Sequence, residues 1–459
     1  MTTTSQTIHL LEQLFTCIKP SRVDEIAKET GFIKRKRVMT ASDFLALLFQ
    51  FHGNFAGCSI QELCSTLVAE QEILISRTAL DKKFTPEAAV FLRRLIQEIL
   101  HHQYLEHVST HSSADLLPFL SIRVLDATAI EVPDHLKKRA TETEQESAKI
   151  QYEYDVLSGK TTFLDVDFRR VNDTKKGAER IPYVNEKDLC LQDLGYFSFE
   201  QFSQIGENGG FYITKLRNDA YLAFKNPYPA YHPNGNVVQS SLYYRLDLVT
   251  LCQNLEPGEH LELEGVHFGR DAHFPARCIV YSHDETQRQC RLKKIQRRTT
   301  RSGKKPKKVV SDLAGITVYM TNLPESVPAE KLVELYRLRW HVELCFKTWK
   351  SYLGVDQFKI MKKERWLCHL YGTLLAIIIS QLIAYQLRNI IWEEEQLEIS
   401  EMIAVRTVAI GFLPKLYRIF TDEKKAFTDY LGLVIRLLIK TARKPKSTKG
   451  TALQRLQFN

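Results

Sequence analysis

Residues 367–387, LCHLYGTLLAIIISQLIAYQL, run for 21 positions without a Lys, Arg, Asp or Glu. Such a stretch folds as a helix that either crosses a bilayer, which takes about 20 residues, or lies inside a core large enough to cover it on all sides. The polar atoms decide between these. His369, Tyr371, Thr373, Ser380, Gln381, Tyr385 and Gln386 each need a hydrogen-bond partner that a protein interior supplies and hydrocarbon does not. The sequence therefore predicts a buried core helix and no membrane partner. The N-terminus, MTTTSQTIHLLEQLF, has no basic segment followed by a long apolar one, so no secretory signal is expected. Nine cysteines, with no C-x-x-C pair, argue against a disulfide framework or zinc ribbon and for a reducing cytoplasm.

Charge is unevenly held. Residues 287–308, QRQCRLKKIQRRTTRSGKKPKK, contain eleven Lys or Arg and no acid, and residues 440–455 contain six more, against a net charge of +9 for the whole chain. The remainder is therefore net acidic. Two concentrated basic runs suit contacts with a phosphate backbone, with Arg297, Arg298, Lys304 and Lys305 as candidate DNA-binding residues. The alternative is a mobile solvated loop and tail.

The chain is long enough for about three domains. Residues 1–110 read as helices near 21–30, 41–51, 59–69, 76–84 and 86–102, and are expected to form a helical DNA-binding domain. Within it, SIQELCSTLVAEQEILISRTALDKKF has the layout of a helix-turn-helix whose second helix carries Arg77, Lys82 and Lys83. Residues 111–217 turn to strands, the first part of a catalytic core. FLSIRVLDATAIEVP has an apolar run stopping on Asp126, and LCLQDLGYFSFEQFSQI reads as a strand ending at Asp193, a turn, and a helix that Ser198 and Gln201 would cap. KTTFLDVDFRRV and FYITKL are also strand-like. Residues 218–312 are expected as a β-rich insertion domain, 313–395 as the second part of the core, and 396–459 as a helical region with a basic tail.

The stretch at 335–354, LYRLRWHVELCFKTWKSYLG, reads as one helix in which Tyr336, Arg339, Glu343 and Lys350 fall within an arc of roughly 60°. A solvated face with an Arg339 to Glu343 pair is the bland reading. His341 points away from Glu343 on such a helix and is not a ligand. His107 and His111, at i,i+4 spacing, lack an accompanying zinc motif and read as exposed histidines. Three carboxylates, Asp126, Asp193 and Glu343, on separate elements meet the needs of a two-metal phosphoryl-transfer site, because hard divalent cations take oxygen ligands.

Tyr336, Arg339, Glu343 and Lys350 match the Y-(2)-R-(3)-E-(6)-K signature of bacterial transposases of the insertion-sequence-4 family. VLDAT resembles that family's first acidic motif, placing Asp126. LQDLGYFS resembles the second, placing Asp193, and MTNLP resembles the strand and turn before the signature helix. The resemblance implies an α/β ribonuclease-H-like catalytic core interrupted by the β-rich insertion. It implies a DDE transposase holding two Mg²⁺ or Mn²⁺ on Asp126, Asp193 and Glu343. Such an enzyme cuts at the ends of its element and joins the released 3′-hydroxyl to target DNA, by cut-and-paste with a hairpin route as one option. Its partners are double-stranded DNA, as terminal inverted repeats and target, and a second protomer in a synaptic homodimer. Tyr336, Arg339 and Lys350 would hold phosphates near the cleaved end. A bacterial, cytoplasmic, nucleoid-associated protein follows.

Family members using the hairpin route often carry a tryptophan near the TN strand end, where this chain has Ile316. Tyr319 is one aromatic that could take its place. The competing readings are an inactive or repurposed DNA-binding protein and a nuclease that cuts without joining.

Overall fold

The computed structural model describes residues 11–445 apart from short segments at 36–37, 51–56, 108–118, 134–135, 137–143, 170, 218, 304–307 and 423. His111, Lys304 and Lys305 lie outside the described residues. The chain forms two units: residues 1–172 with 340–459, and residues 173–339.

In the first unit, helices α1 (Pro20–Glu29), α2 (Ala41–Gln50), α3 (Ile60–Gln71), α4 (Arg77–Asp81) and α5 (Pro86–His107) begin where local chemistry places them. Ser59 caps α3 in a full capping box with Glu62, and Ser76 accepts from Ala79 N at 3.2 Å at the start of α4. α4 is only five residues long. Lys82 follows as its C-cap, and Lys83 reaches back to the Met39 carbonyl. That corrects the helix-turn-helix expectation: one turn and a half is too short to lie along a major groove.

Strands β1 (Ser121–Glu131), β2 (Glu144–Asp155) and β3 (Thr161–Arg169) form an antiparallel ribbon in the order β3-β2-β1. β2 had no clear signal in the sequence. Its polar residues alternate with buried Ile150, Tyr152 and Tyr154, so only one face is apolar.

In the second unit, β4 (Asp188–Gln192) leads through helix α6 (Phe199–Glu207) to β5 (Phe211–Lys215), its parallel neighbour. As expected, Ser198 caps α6. Gln201, however, turns its side-chain amide to the Thr174 carbonyl, at 2.6 Å, so the box is half made. Next come β6 (Leu222–Lys225), β7 (Tyr243–Arg245), β8 (His260–Leu263), β9 (Val266–Phe268), β10 (Phe274–Pro275) and β11 (Arg277–Ser282). Helix α7 (Glu285–Ser302), β12 (Ile316–Thr321) and helix α8 (Ala329–Arg337) complete the unit.

The strands expected as an insertion do two things. β6, β7, β9 and β10 make a small sheet of order β10-β9-β6-β7, while β8 and β11 extend the order β4-β5-β12-β11-β8. One apolar core joins Cys190 and Tyr212 to Val266, Phe268, Cys278 and Met320. The basic run is not a loop, since most of it is α7.

The chain then returns to the first unit through α9 (Trp340–Ser351), α10 (Lys363–Glu395), α11 (Glu401–Thr407), α12 (Leu413–Asp422) and α13 (Lys424–Thr441). α10 contains the charge-free run. It packs against α2, α5 and α11, and almost every side chain from Trp366 to Ile391 is buried. Each fully buried Leu or Ile contributes about 1.5–3 kcal/mol relative to exposure.

Several polar side chains near the C-terminal half of α10 bond to one turn. Gln381 donates to the Gly159 carbonyl at 3.3 Å, Gln386 to Ser158 at 3.0 Å, and Arg388 to Leu157 at 2.7 Å. That turn joins β2 to β3. Its Gly159 sits at φ +75°, where a Cβ would come within 2.5 Å of Tyr385, so only glycine fits. The core helix thereby fixes the ribbon that carries Asp126.

Candidate active site

Asp126 stands in the middle of β1, not at its end, because the strand continues to Glu131. The apolar run stops there for a local reason: Asp126 is half-buried, and its Oδ1 accepts from Ala127 N at 2.8 Å. Its cross-strand partner is Tyr152, whose buried ring meets Trp349 edge-on at 4.6 Å and lies 6.2 Å from Phe346. Both belong to α9, so α9 covers the sheet face that bears Asp126. Glu343, half-buried, lies in the first turn of α9, where the helix dipole favours a carboxylate. Lys350, in the last turn, donates to the Ala129 carbonyl at 2.9 Å.

Asp193 is in the second unit. It follows β4 directly, as expected, and opens the 3₁₀ turn Leu194–Tyr196 with an exposed side chain. The preceding Gln192 is buried and held on two sides, by Arg180 and by its own bond to the Tyr196 carbonyl at 2.8 Å. The Gln192 carbonyl in turn accepts from the Tyr336 hydroxyl at 3.3 Å.

The signature is not one helix. α8 ends at Arg337, and Leu338 and Arg339 form a turn in which their N–H groups bond to Leu335 and Tyr336 carbonyls at 3.0 and 3.1 Å. These are i→i+3 bonds, tighter than α-helical ones, and they break the run before α9 starts at Trp340. Tyr336 and Arg339 thus belong to the second unit, and Glu343 and Lys350 to the first. Tyr336 also differs from expectation: it is buried, and burial pushes its phenol well above the usual range.

One residue beside this site escaped sequence reasoning. Lys215 ends β5, next to β4. Its ammonium lies 4.7 Å from the centre of the Tyr336 ring and 5.7 Å from that of Tyr319, in cation–π contact. Burial, then Arg291 and Arg339, push its pKa down to about 8, with Asp193 opposing. It has no hydrogen-bond or ion-pair acceptor among the described residues. The available signal was one lysine closing the apolar run FYIT.

Tyr319 is 2% exposed, covered by Lys215 and edge-on to Tyr336 at 5.4 Å, and Ile316 is buried. Neither has a free face on which a base could stack. His341 has Glu401, Glu398, Lys444 and Arg388 as charged neighbours, and burial lowers its pKa. Arg297 and Arg298 are exposed on α7.

Among the described residues no group of three or more His, Cys, Asp or Glu side chains lies close enough to hold a metal ion. The donor chemistry of Asp126, Asp193 and Glu343 nonetheless fits a hard divalent cation, because all three offer carboxylate oxygens and none is fully buried.

The profile of the transposase DDE domain matches residues 117–379, more than half of the chain. The chain belongs to the DDE transposase family. Among its relatives is the transposase of insertion sequence element IS231D from Bacillus thuringiensis subsp. finitimus, 34% identical over 94% of this chain and 91% of that one. The transposase of IS1151 from Clostridium perfringens is 29% identical over 98% of this chain and 97% of its own length. A cryo-EM structure of the piggyBac transposase synaptic complex with hairpin DNA covers 97% of this chain and 87% of its own, at 10% identity and a TM-score of 0.45. This DDE transposase is thus related over nearly its whole length to proteins that act on bacterial insertion sequences.

Proposed function

We propose that the protein is an insertion-sequence transposase of the insertion-sequence-4 type, with a ribonuclease-H-like core, that cuts the ends of its element and joins them to target DNA. The observation that carries this reading is the DDE-domain match over 117–379, which contains all three carboxylates and the whole Y-(2)-R-(3)-E-(6)-K signature. Asp126, Asp193 and Glu343 would hold two Mg²⁺ or Mn²⁺, whose chemistry is to acidify a water and to neutralise charge on the reacting phosphate.

Hydrolysis joins the water oxygen to phosphorus and breaks the bond to O3′, leaving a 3′-hydroxyl that then attacks a target phosphodiester, where the new O–P bond replaces the target's own P–O3′ bond and the target's 3′-hydroxyl leaves. The chain's own groups orient the DNA. Arg339 offers a fork to a phosphate near the cut, and Lys350 offers a charge at the edge of β1. Tyr336 acts at one remove, through its bond to the residue before Asp193. Lys215, with three unspent N–H donors, is a further group for an anion beside Asp193. A hairpin step would need a stacking aromatic from outside β12, because Ile316 and Tyr319 are both buried. Two protomers pairing the two element ends, in a bacterial cytoplasm, complete the reading.

The test is Mg²⁺-dependent cleavage and strand transfer on a duplex carrying the DNA that flanks the coding sequence. Wild type should cut and join. Glu343→Gln should bind the same duplex but lose more than about 100-fold in both reactions. Equal activity in the two proteins would remove Glu343 from the site.

A further inference from the structure

α7 packs by one side only. Arg291 donates to the Ile316 carbonyl at 3.0 Å and to Thr317 Oγ1 at 2.9 Å. The stem of Arg288 lies against Gly315, where a Cβ would come within 3.1 Å of it. Leu292, Ile295 and Thr299 are half-buried on the same side. The ends are well made: Asp284 caps the first turn through Gln287 N at 2.8 Å, and Gly303, at φ +67°, closes the last. All the acid is at that first turn, where Glu285 pairs with Arg288 at 3.2 Å.

The opposite side holds Lys293, Arg297 and Arg301 at successive i+4 steps, with Lys294 and Arg298 beside them, across an arc of roughly 140° and about 12 Å of axis. All five are exposed. Among the described residues none has a hydrogen-bond or ion-pair partner for its side chain. Like charges at i+4 cost about 0.2–0.5 kcal/mol a pair, so this face is unfavourable by itself and is relieved by a polyanion.

We propose that α7 is a sequence-neutral rail for duplex DNA, engaging phosphates of the target. This rests on reading the chain as a DNA transposase. Phosphates are the fitting partner because no carboxylate or amide orients the three guanidiniums. None is therefore held as a fork for a guanine edge, whereas a phosphate accepts from many directions. Neutrality toward sequence points to the target duplex, since the element's ends have a fixed sequence. A 12 Å row spans about three to four base pairs.

Binding is measured without metal, so the result does not depend on catalysis, using a 40-base-pair duplex of flanking DNA and a scrambled duplex of the same composition across a salt series. The triple variant Lys293→Gln, Arg297→Gln, Arg301→Gln should lower the slope of log affinity against log salt by about 3, and the pair Lys294→Gln, Arg298→Gln by about 2. Both duplexes should lose affinity alike. Unchanged slopes in both variants would overturn the rail, and so would a loss more than tenfold greater on the flanking duplex than on the scrambled one. If wild type binds neither duplex, the transposase reading and the rail fall together.

Discussion

Lys215 carries a cost that the free protein does not recover. An ammonium out of water with no acceptor is destabilising, and two tyrosine faces offset only part of that. Lys215→Met should therefore raise the melting temperature while lowering the rate of end cleavage, the usual opposition at functional sites. The sign of the pH effect follows from linkage. The folded pKa of about 8 lies below the ordinary lysine value of 10.5, so between these values the unfolded chain binds more protons and wild-type stability rises with pH. The stability gap between variant and wild type, read by thermal melting, should be full below pH 8, at most roughly 3 kcal/mol, and close toward pH 10.5. A gap that stays constant across that range would show that Lys215 is not the cause.

Glu401 is the opposite case. Burial would raise its pKa, but Lys444 at 2.7 Å, then Arg388 and His341, outweigh burial and hold it at about 2. Its contribution is present above the ordinary glutamate value of 4.5 and is lost as pH falls through 2. Glu401→Gln leaves cations buried without their partner and should cost about 3–5 kcal/mol at pH 7. The deficit in thermal melting should nearly vanish at pH 2. A deficit of equal size at both pH values would point to packing instead of charge.

Among the elements, helices were the legible ones, because their apolar spacing and caps are local: α1, α2, α3 and α5 begin within a residue or so of where the sequence places them. Asp193 was legible for the same reason, as a strand end followed by a capped helix. Asp126 was placed at a strand end because the apolar run stops, but hydrogen bonding to β2 carries the strand onward, and that pairing is not local. The signature helix was misread for a related reason. Every residue from Leu335 to Leu353 tolerates a helix, so periodicity alone cannot reveal the two tight bonds at Leu338 and Arg339. The basic run was ambiguous by charge and became a helix because Arg291 and Arg288 have packing partners in β12 and the turn before it.

For the whole molecule, the division of the chain makes a folding prediction. Residues 173–339 contain a complete four-stranded sheet, five further strands and an apolar core running from Ile181 to Met320, so this contiguous piece should fold alone, with a cooperative thermal transition by circular dichroism. Residues 1–172 should not, because the helix at the centre of their unit, Lys363–Glu395, comes from beyond the second one. A cooperative transition from 1–172 alone would contradict the central place given to α10.

The break at Leu338 and Arg339 also bears on how such proteins can be recombined. A chimaera that exchanged residues 173–339 for those of a relative would take its Tyr336 and Arg339 from one parent and its Glu343 and Lys350 from the other. Four letters that stand close enough in the sequence to be read as one word are inherited as two halves whenever the folded parts are shuffled.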